Sequence, residues 1–382
     1  MSHERARETR LHRIPAASPD DVSGLEEAVA SGALDPRGIV AVIGKTEGNG
    51  CVNDFSRGFA TASLQRWLAR HAPDVADAVC LVMSGGTEGG LSPHFAVFEV
   101  RAASQPSAGG ALAVGRARTA PLPPEHLGRA AQVRLVAEGV LAAMRDAGIG
   151  SPADVHFVQI KCPLLTAARI AEAQARGGAT ATRDTLKSMG LSRGASALGV
   201  ALALGECRPD LDFDAIIGRD VSVWSEKAST SAGVELEDHE IVVLGMAEGW
   251  AGPLAIDHAV MADAIDVEPV RDALRRLGLE ASRQLTASEQ VRLAALLAKA
   301  EPGSTGLLRG RRHTMLDDSD ISATRHARGF VAGVLAGLVG HAEIYVSGGG
   351  EHQGPDGGGP VAVIVDRGAR PPGHSPQEGP HP

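Results

Sequence analysis

Aromatic residues are scarce, with three Trp, one Tyr and seven Phe among 382 residues, so backbone more than stacked rings is expected to form a binding site. The four cysteines, Cys51, Cys80, Cys162 and Cys207, contain no Cys-x-x-Cys pair. That removes the usual zinc spacing and argues against a disulfide framework in a chain this long, so they are read as reduced thiols. Positive charge is in deficit: 37 Lys and Arg against 46 Asp and Glu give a formal charge of −9 at pH 7. Nucleic acid or an anionic membrane surface is thereby excluded as the main partner, because both need a basic field, while a local anion site stays open. No apolar run reaches the ~20 residues that cross a bilayer. The opening MSHERARETR is polar with no apolar segment behind it, so no secretory signal is read and a cytoplasmic location is expected. Gly44-Lys45-Thr46 is no phosphate-binding loop, because that motif needs glycine where Ile39 stands.

What is present is a hydrophobic fraction of 43%, ample for more than one folded domain. Glycine occurs 47 times, about one residue in eight, against ~7% usually. Much of it lies in recurring turns. Ser84-Gly85-Gly86-Thr87-Glu88, Ser231-Ala232-Gly233-Val234-Glu235 and Ser347-Gly348-Gly349-Gly350-Glu351 share the pattern Ser-(Gly/Ala)-Gly-x-Glu. Upstream of each stands a lysine after an apolar run: Lys45 after GIVAVIG, Lys161 after VHFVQI and Lys299 after LAALLA. Between lysine and serine an arginine opens a small-residue, helix-like segment, at Arg57, Arg193 and Arg325. The order Lys, Arg, Ser thus occurs three times, with Lys-to-Ser separations of 39, 70 and 48 residues. A solenoid keeps a fixed period; unequal, domain-sized units indicate old, diverged repeats.

These observations predict three homologous α/β domains, at 1–106, 112–250 and 254–367, divided by the Pro/Gly/Ser stretch around 101–110 and the break GWAGP at 249–253. The polar, Pro-rich segment 368–382 is expected to be disordered. Helices are predicted at 56–70, 125–147, 166–176, 193–205, 258–277, 286–300 and 323–339, and the run PVAVIV at 360–365 is expected to close the third sheet.

Serine is a weak nucleophile until a base takes its proton, and lysine is such a base only when its pKa falls toward neutrality. Convergence of three lysines and three arginines, with partial burial, lowers lysine's pKa by repulsion and desolvation. Ser-Gly turns add unobstructed backbone amides able to hold an oxyanion, and planar guanidinium forks suit ring carbonyls or an anionic substrate. Lys, Ser and amide donors together suggest acyl chemistry. A site of near-threefold symmetry suits a small flat ligand with three equivalent edges, such as a triazine trione. Any one lysine alone would be read as solvated, and any one Ser-Gly turn as a tight loop; recurrence in register favours function. The middle turn differs, carrying Ala232 in place of glycine and the neighbouring hydroxyls Ser229 and Thr230, an asymmetry that does not say which unit is catalytic. Cys162 is read as a buried inert thiol, His313 and His326 as packing or capping residues, and Leu316-Asp317-Asp318-Ser319-Asp320 as a cap for the helix that follows.

At these residues the sequence resembles the cyanuric acid amidohydrolase and barbiturase family, over about residues 12–366. The resemblance rests on VAVIGKTEGNGCVNDFSR, VMSGGTEGGLSPH, HFVQIKCPLLT, SMGLSRGASALG, STSAGVELE, RGRRHTMLDDSDISATRHAR and YVSGGGEHQGPDGGGP. It implies three concatenated domains around a central site, a toblerone-like fold, in a homotetramer. It also implies hydrolytic opening of cyanuric acid to carboxybiuret, which loses carbon dioxide to give biuret. By resemblance, Lys161 is the base and Ser231 the nucleophile. Lys45, Ser84, Lys299 and Ser347 bind the other ring edges, with Arg57, Arg193, Arg325 and the backbone of Gly85, Ala232 and Gly348 also on the substrate. The resemblance implies no cofactor in catalysis. A structural magnesium or calcium ion is implied at Glu301, Gly350, Gln353, Gly354, Pro355 and Gly358, oxygen ligands of the kind hard ions take. Where the family often has alanine, this chain has Gly350, a change of little consequence to a backbone carbonyl. The alternatives are a barbiturase using the same machinery and a non-catalytic binder of small anions.

Overall fold

The computed structural model describes residues 6–369. The predicted disorder of 368–382 therefore falls almost wholly outside the described residues. Three four-stranded units follow one another. The first comprises β1 (Ala6–Pro15), α1 (Ser23–Ala30), β2 (Ile39–Thr46), α2 (Phe55–His71), β3 (Cys80–Gly85) and β4 (His94–Ala103). The second runs β5 (Ala111–Arg118), α3 (Ala130–Ala147), β6 (Val155–Pro163), α4 (Ala167–Ala175), α5 (Thr185–Leu204), α6 (Phe213–Ile216), β7 (Ala228–Gly233) and β8 (Glu240–Ala247). A two-residue strand, β9 (Trp250–Ala251), then pairs in parallel with Arg7 and Glu8, so the break at 249–253 lies on the edge of the first unit's sheet. The third unit is β10 (Leu254–Met261), α7 (Glu268–Arg276), α8 (Ala287–Arg292), β11 (Leu293–Ala300), the short hairpin β12 (Leu307–Leu308) and β13 (Arg311–Arg312), α9 (Ala323–Val339), β14 (Tyr345–Gly348) and β15 (Gly359–Asp366).

The sheets have one plan. Their orders are β3-β2-β4-β1, β7-β6-β8-β5 and β14-β11-β15-β10, each with one parallel and two antiparallel pairings. Alternation along each strand sends one set of side chains to a core shared by all three sheets and the other set under that unit's helices. On β2, Ala41 and Ile43 face the shared core while Ile39 and Val42 pack with Leu64 and Trp67 of α2. On β11, Ala295 and Leu297 face the shared core while Leu296 and Ala298 pack with Val331 and Leu335 of α9. Three sheets thus enclose a central axis with helices outside. Among the described residues no helix is long and apolar enough to cross a membrane.

Two predicted helices need correction. Residues 254–261 are strand β10, and helix occupies only Glu268–Arg276 of the 258–277 prediction; of 286–300 only Ala287–Arg292 is helical, the rest being β11. Leu293-Ala294-Ala295-Leu296-Leu297-Ala298 is built of strong helix formers. β11 nevertheless has β14 on one side and β15 on the other, and that pairing overrides local propensity. Helix α5 starts earlier than predicted because the Asp184 side chain accepts from the Lys187 amide. Asp318 does not cap α9: it accepts from the amides of Asp320 and Ile321 and pairs with His326.

Candidate active site

The parallel pairing inside each sheet sets lysine opposite serine at the strands' C-terminal ends: Lys45 with Ser84, Lys161 with Ser231, Lys299 with Ser347. All six side chains are buried. Each ammonium crosses to the carbonyl just before another unit's serine. Lys45 Nζ donates to Val346 O at 2.6 Å, Lys161 Nζ to Met83 O at 2.7 Å and Lys299 Nζ to Thr230 O at 2.8 Å. Three strand ends are thereby tied in a ring around the central axis. Ser84 Oγ donates to Ser347 Oγ at 3.2 Å, and Lys299 Nζ donates to Ser347 Oγ at 3.1 Å and Gly348 O at 3.1 Å. Gly85 has to lack a side chain, since a Cβ there would stand 1.7 Å from Asp54 Oδ2.

The arginines come from the helices. Arg57 of α2 donates to Ala232 O at 2.9 Å and Cys51 O at 2.6 Å, reaching the second unit's turn. Arg193 of α5 makes a bidentate pair with Glu351 of the third turn, at 2.8 and 2.6 Å. In the third unit the buried side chain on the first unit's turn is Arg328, which pairs with Glu88. Arg325 is 36% exposed and touches Glu88 at 3.3 Å. Arg325 therefore sits on the rim, and Arg328 takes the position matching Arg57 and Arg193. The overlooked signal is an Arg-Gly pair, Ser56-Arg57-Gly58, Ser192-Arg193-Gly194 and Ala327-Arg328-Gly329. Tyr345, two residues before Ser347 and the chain's one tyrosine, was likewise unmarked by the repeat. Its buried hydroxyl faces Ser84 and Ser347, and burial pushes its pKa up to about 12.

Electrostatics follow from burial and from neighbouring charges. Desolvation, then Arg328, holds Lys45 well below its ordinary value. Desolvation, then Arg193, lowers Lys299 to about 7. Lys161 is lowered by desolvation against the opposing charge of Glu235, whose Oε1 lies 2.6 Å from Nζ. Glu88 and Glu351 turn to arginines, whereas Glu235 turns to a lysine. The backbone differs there too: Gly86 and Gly349 have φ of +94° and +80°, and Gly233 is not among the positive-φ glycines. Among the described residues, Arg57 Nε and the Ser229 hydroxyl, both buried, find no hydrogen-bond partner. Cys162 is buried and its pKa raised, chiefly by desolvation.

The residues implied as metal ligands gather after β11 and β14. Glu301 Oε2 accepts from the Gly350 amide at 2.5 Å, and Gln353 Oε1 accepts from the Thr230 amide at 2.7 Å. Gln353 Nε2 donates to Gly349 O, and Pro355 O accepts from the Gly358 amide. Positive φ at Gly354 (+101°) folds the loop back. Desolvation, reinforced by Glu351, pushes the Glu301 carboxyl up to about 7. Among the described residues, the His, Cys, Asp and Glu side chains that come close enough to share an ion are His156, Asp257 and His258, away from this loop.

The chain matches the amidohydrolase ring-opening protein family over residues 10–366. It is 66% identical over 358 residues to a cyanuric acid amidohydrolase of Azorhizobium caulinodans, covering 94% of this chain and 98% of that one. It is 48% identical over 366 residues to a cyanuric acid amidohydrolase of Enterobacter cloacae, covering 94% and 99%. The fold matches a solved cyanuric acid hydrolase from A. caulinodans with a TM-score of 0.88 at 65% identity, covering 95% of this chain and all of that one (100%). A second solved cyanuric acid hydrolase matches with a TM-score of 0.90 at 50% identity, covering 94% and 100%.

Proposed function

The chain belongs to the ring-opening amidohydrolase family, and on that premise we propose that it hydrolyses cyanuric acid to carboxybiuret, which decarboxylates to biuret. The observation that carries this reading is the ring of three buried Lys–Ser pairs, one on each of three like sheets, which matches a flat ring with three equivalent edges. Ser231 Oγ adds to a ring carbonyl carbon while Lys161 Nζ accepts its proton. Collapse of the tetrahedral oxyanion breaks the ring C–N bond, and the proton passes to the leaving nitrogen. Water then hydrolyses the acyl-serine. Lys45, Ser84, Lys299 and Ser347 hold the other two edges, with Arg57, Arg193, Arg325 and the backbone of Gly85, Ala232 and Gly348. The buried Arg328 joins them. The units are assigned to 1–106, 112–250 and 254–367.

A second assignment of the nucleophile has two observations in its favour: among the described residues the pair with a direct Lys-to-Ser hydrogen bond is Lys299 and Ser347, and desolvation, then Arg193, lowers Lys299 to about 7. In the preferred assignment Lys161 is the lysine that a carboxylate accompanies.

The residues at Glu301 fit a hard cation: a desolvated carboxylate beside the charge of Glu351, held against the backbone of Gly350 at the start of a loop rich in carbonyl and amide oxygens. Glu301, Gly350, Gln353, Gly354, Pro355 and Gly358 are proposed to hold magnesium or calcium, which would fix the third unit's turn and take no part in the reaction. A homotetramer, on the family resemblance, and a cytoplasmic location complete the proposal.

The test is a steady-state assay with cyanuric and barbituric acid in parallel. Turnover of cyanuric acid that is lost in Ser231→Ala supports the proposal. Turnover of barbituric acid alone, or binding of either ring without turnover, overturns it.

A further inference from the structure

Three equivalent junctions join the units, and one of them is chemically unlike the others. At each, the first strand of one unit meets the bulged start of another unit's second strand: β1 meets β11, β5 meets β2, and β10 meets β6. Arg13 faces Ala96, Arg116 faces Val242 and His258 faces Ala362, the same register position in each sheet. The bulge residues are Val40, His156 and Ala294, each five residues before its unit's lysine. At two junctions an arginine donates to a neighbouring carbonyl, Arg13 Nη1 to Leu293 O at 3.4 Å and Arg116 Nη1 to Val40 O at 3.2 Å. At the third, histidine replaces the arginine, and a second histidine replaces the small apolar bulge residue.

The donor atoms converge. His156 Nδ1 and His258 Nδ1 are 2.9 Å apart, and Asp257 Oδ1 lies 3.5 Å from the first and 4.0 Å from the second. A tetrahedral ion with bonds of 2.0–2.1 Å has ligand atoms about 3.3 Å apart, a value these three edges bracket. The three side chains are 17%, 19% and 13% exposed, sheltered yet reachable by an ion. Arg276 Nε holds the other carboxylate oxygen of Asp257 at 2.5 Å and Arg276 Nη2 the His258 carbonyl at 3.2 Å, while Oδ1 accepts from the His258 amide at 2.7 Å and keeps a second lone pair on the side of the imidazoles. Such an outer partner orients a ligand. Lys227, the other nearby cation, donates to Pro152 O.

We propose that His156, Asp257 and His258 form a binding site for a divalent transition metal, zinc or a metal of similar preference, that clips β6 of the second unit to β10 of the third. Two imidazoles and one carboxylate suit Zn²⁺, Co²⁺ or Ni²⁺ and not the hard ions that take only oxygen. The site is separate from the oxygen-lined loop at Glu301 and is independent of the catalytic proposal.

The test uses the full chain, freed of metal by chelation and then kept in excess Mg²⁺ to occupy hard-ion sites. Co²⁺ titration is followed by visible absorption and Zn²⁺ titration by calorimetry and thermal melting. Wild type is compared with His258→Arg and His156→Val, which install the residues found at the other junctions and so preserve packing, and with Asp257→Asn. The proposal expects one ion per chain with a visible Co²⁺ band, and a higher Tm with Zn²⁺. It expects at least tenfold weaker binding in both histidine variants, with their metal-free Tm retained. Absence of binding by wild type, or equal stoichiometry and affinity in the variants, overturns it.

Discussion

Lys161 and Glu235 form a 2.6 Å ion pair inside the ring of lysines, and the equivalent glutamates of the other two turns face arginines instead. Lys161 is buried and the Glu235 side chain is 10% exposed, so the carboxylate acts on Lys161 through little solvent. It opposes the desolvation that lowers the lysine's pKa. In the proposed chemistry Lys161 must be neutral to take the Ser231 proton, so the carboxylate tunes the pH at which it becomes so. Glu235→Gln removes the opposing charge and lets Lys161 fall further. The acid limb of kcat/KM then moves down by about one pH unit, with circular dichroism unchanged. An unmoved limb would show that Lys161 is not the titrating base.

The two candidate dyads separate by the form of the kinetic loss. Removing a nucleophile or its base deletes the reaction path, whereas removing a group that holds the ring weakens substrate and transition state together. Ser231→Ala and Lys161→Ala are expected to lower kcat by about 10³-fold or more. Ser347→Ala and Ser84→Ala are expected to act mainly on KM, with kcat within about tenfold. Trapping of an acyl-enzyme by mass spectrometry identifies the serine directly, and an adduct on Ser347 would transfer the role to the third unit.

Convergence of three lysines and three serines is legible in the sequence because each pair is a local strand register repeated three times. The third arginine is not legible from spacing: Arg325 and Arg328 lie within one turn of α9, and burial, which spacing does not encode, separates them. β11 reads as helix because alanine and leucine favour helix, and its strand state comes from β14 and β15, residues 345–366. The His156 and His258 contact joins strands of two units more than 100 residues apart, where no local pattern reaches. The loop 350–358 shows its turns as glycines, but the facing carboxylate of Glu301 is supplied by another strand end.

Arg328 and Arg325 are three residues apart and have different expected losses. Arg328→Ala removes the buried one of the two guanidiniums on Glu88, leaving the partly exposed Arg325, and opens the space beside Gly86 and Gly348. Breaking a buried pair on one side costs about 3–5 kcal/mol, so a large fall in Tm and weaker cyanuric acid binding are expected. Arg325→Ala removes a partly exposed contact worth about 0–1 kcal/mol, so Tm should stay near wild type and KM should rise less than in Arg328→Ala. Equal losses in the two variants, read by melting and by steady-state kinetics, would contradict the placement.

Glu240 gives the clearest pH signature outside the site. It lies at the start of β8, buried against the first unit, where its carboxylate accepts from the Leu81 amide at 2.7 Å. Burial raises its pKa from 4.5 to about 7, with Arg118 only partly opposing. An acid whose pKa is higher in the folded chain binds more protons folded than unfolded between those values. Its contribution therefore favours folding at low pH and fades as pH rises through that window. The shift corresponds to at most about 3 kcal/mol. Glu240→Gln keeps an acceptor for the Leu81 amide and removes the titration. Stability measured in urea between pH 4.5 and 7 should thus lose, in the variant, a decline with pH that wild type shows. Parallel pH profiles for the two proteins would mean that Glu240 stays ionised in the folded chain and that Arg118, at 3.5 Å, outweighs desolvation there.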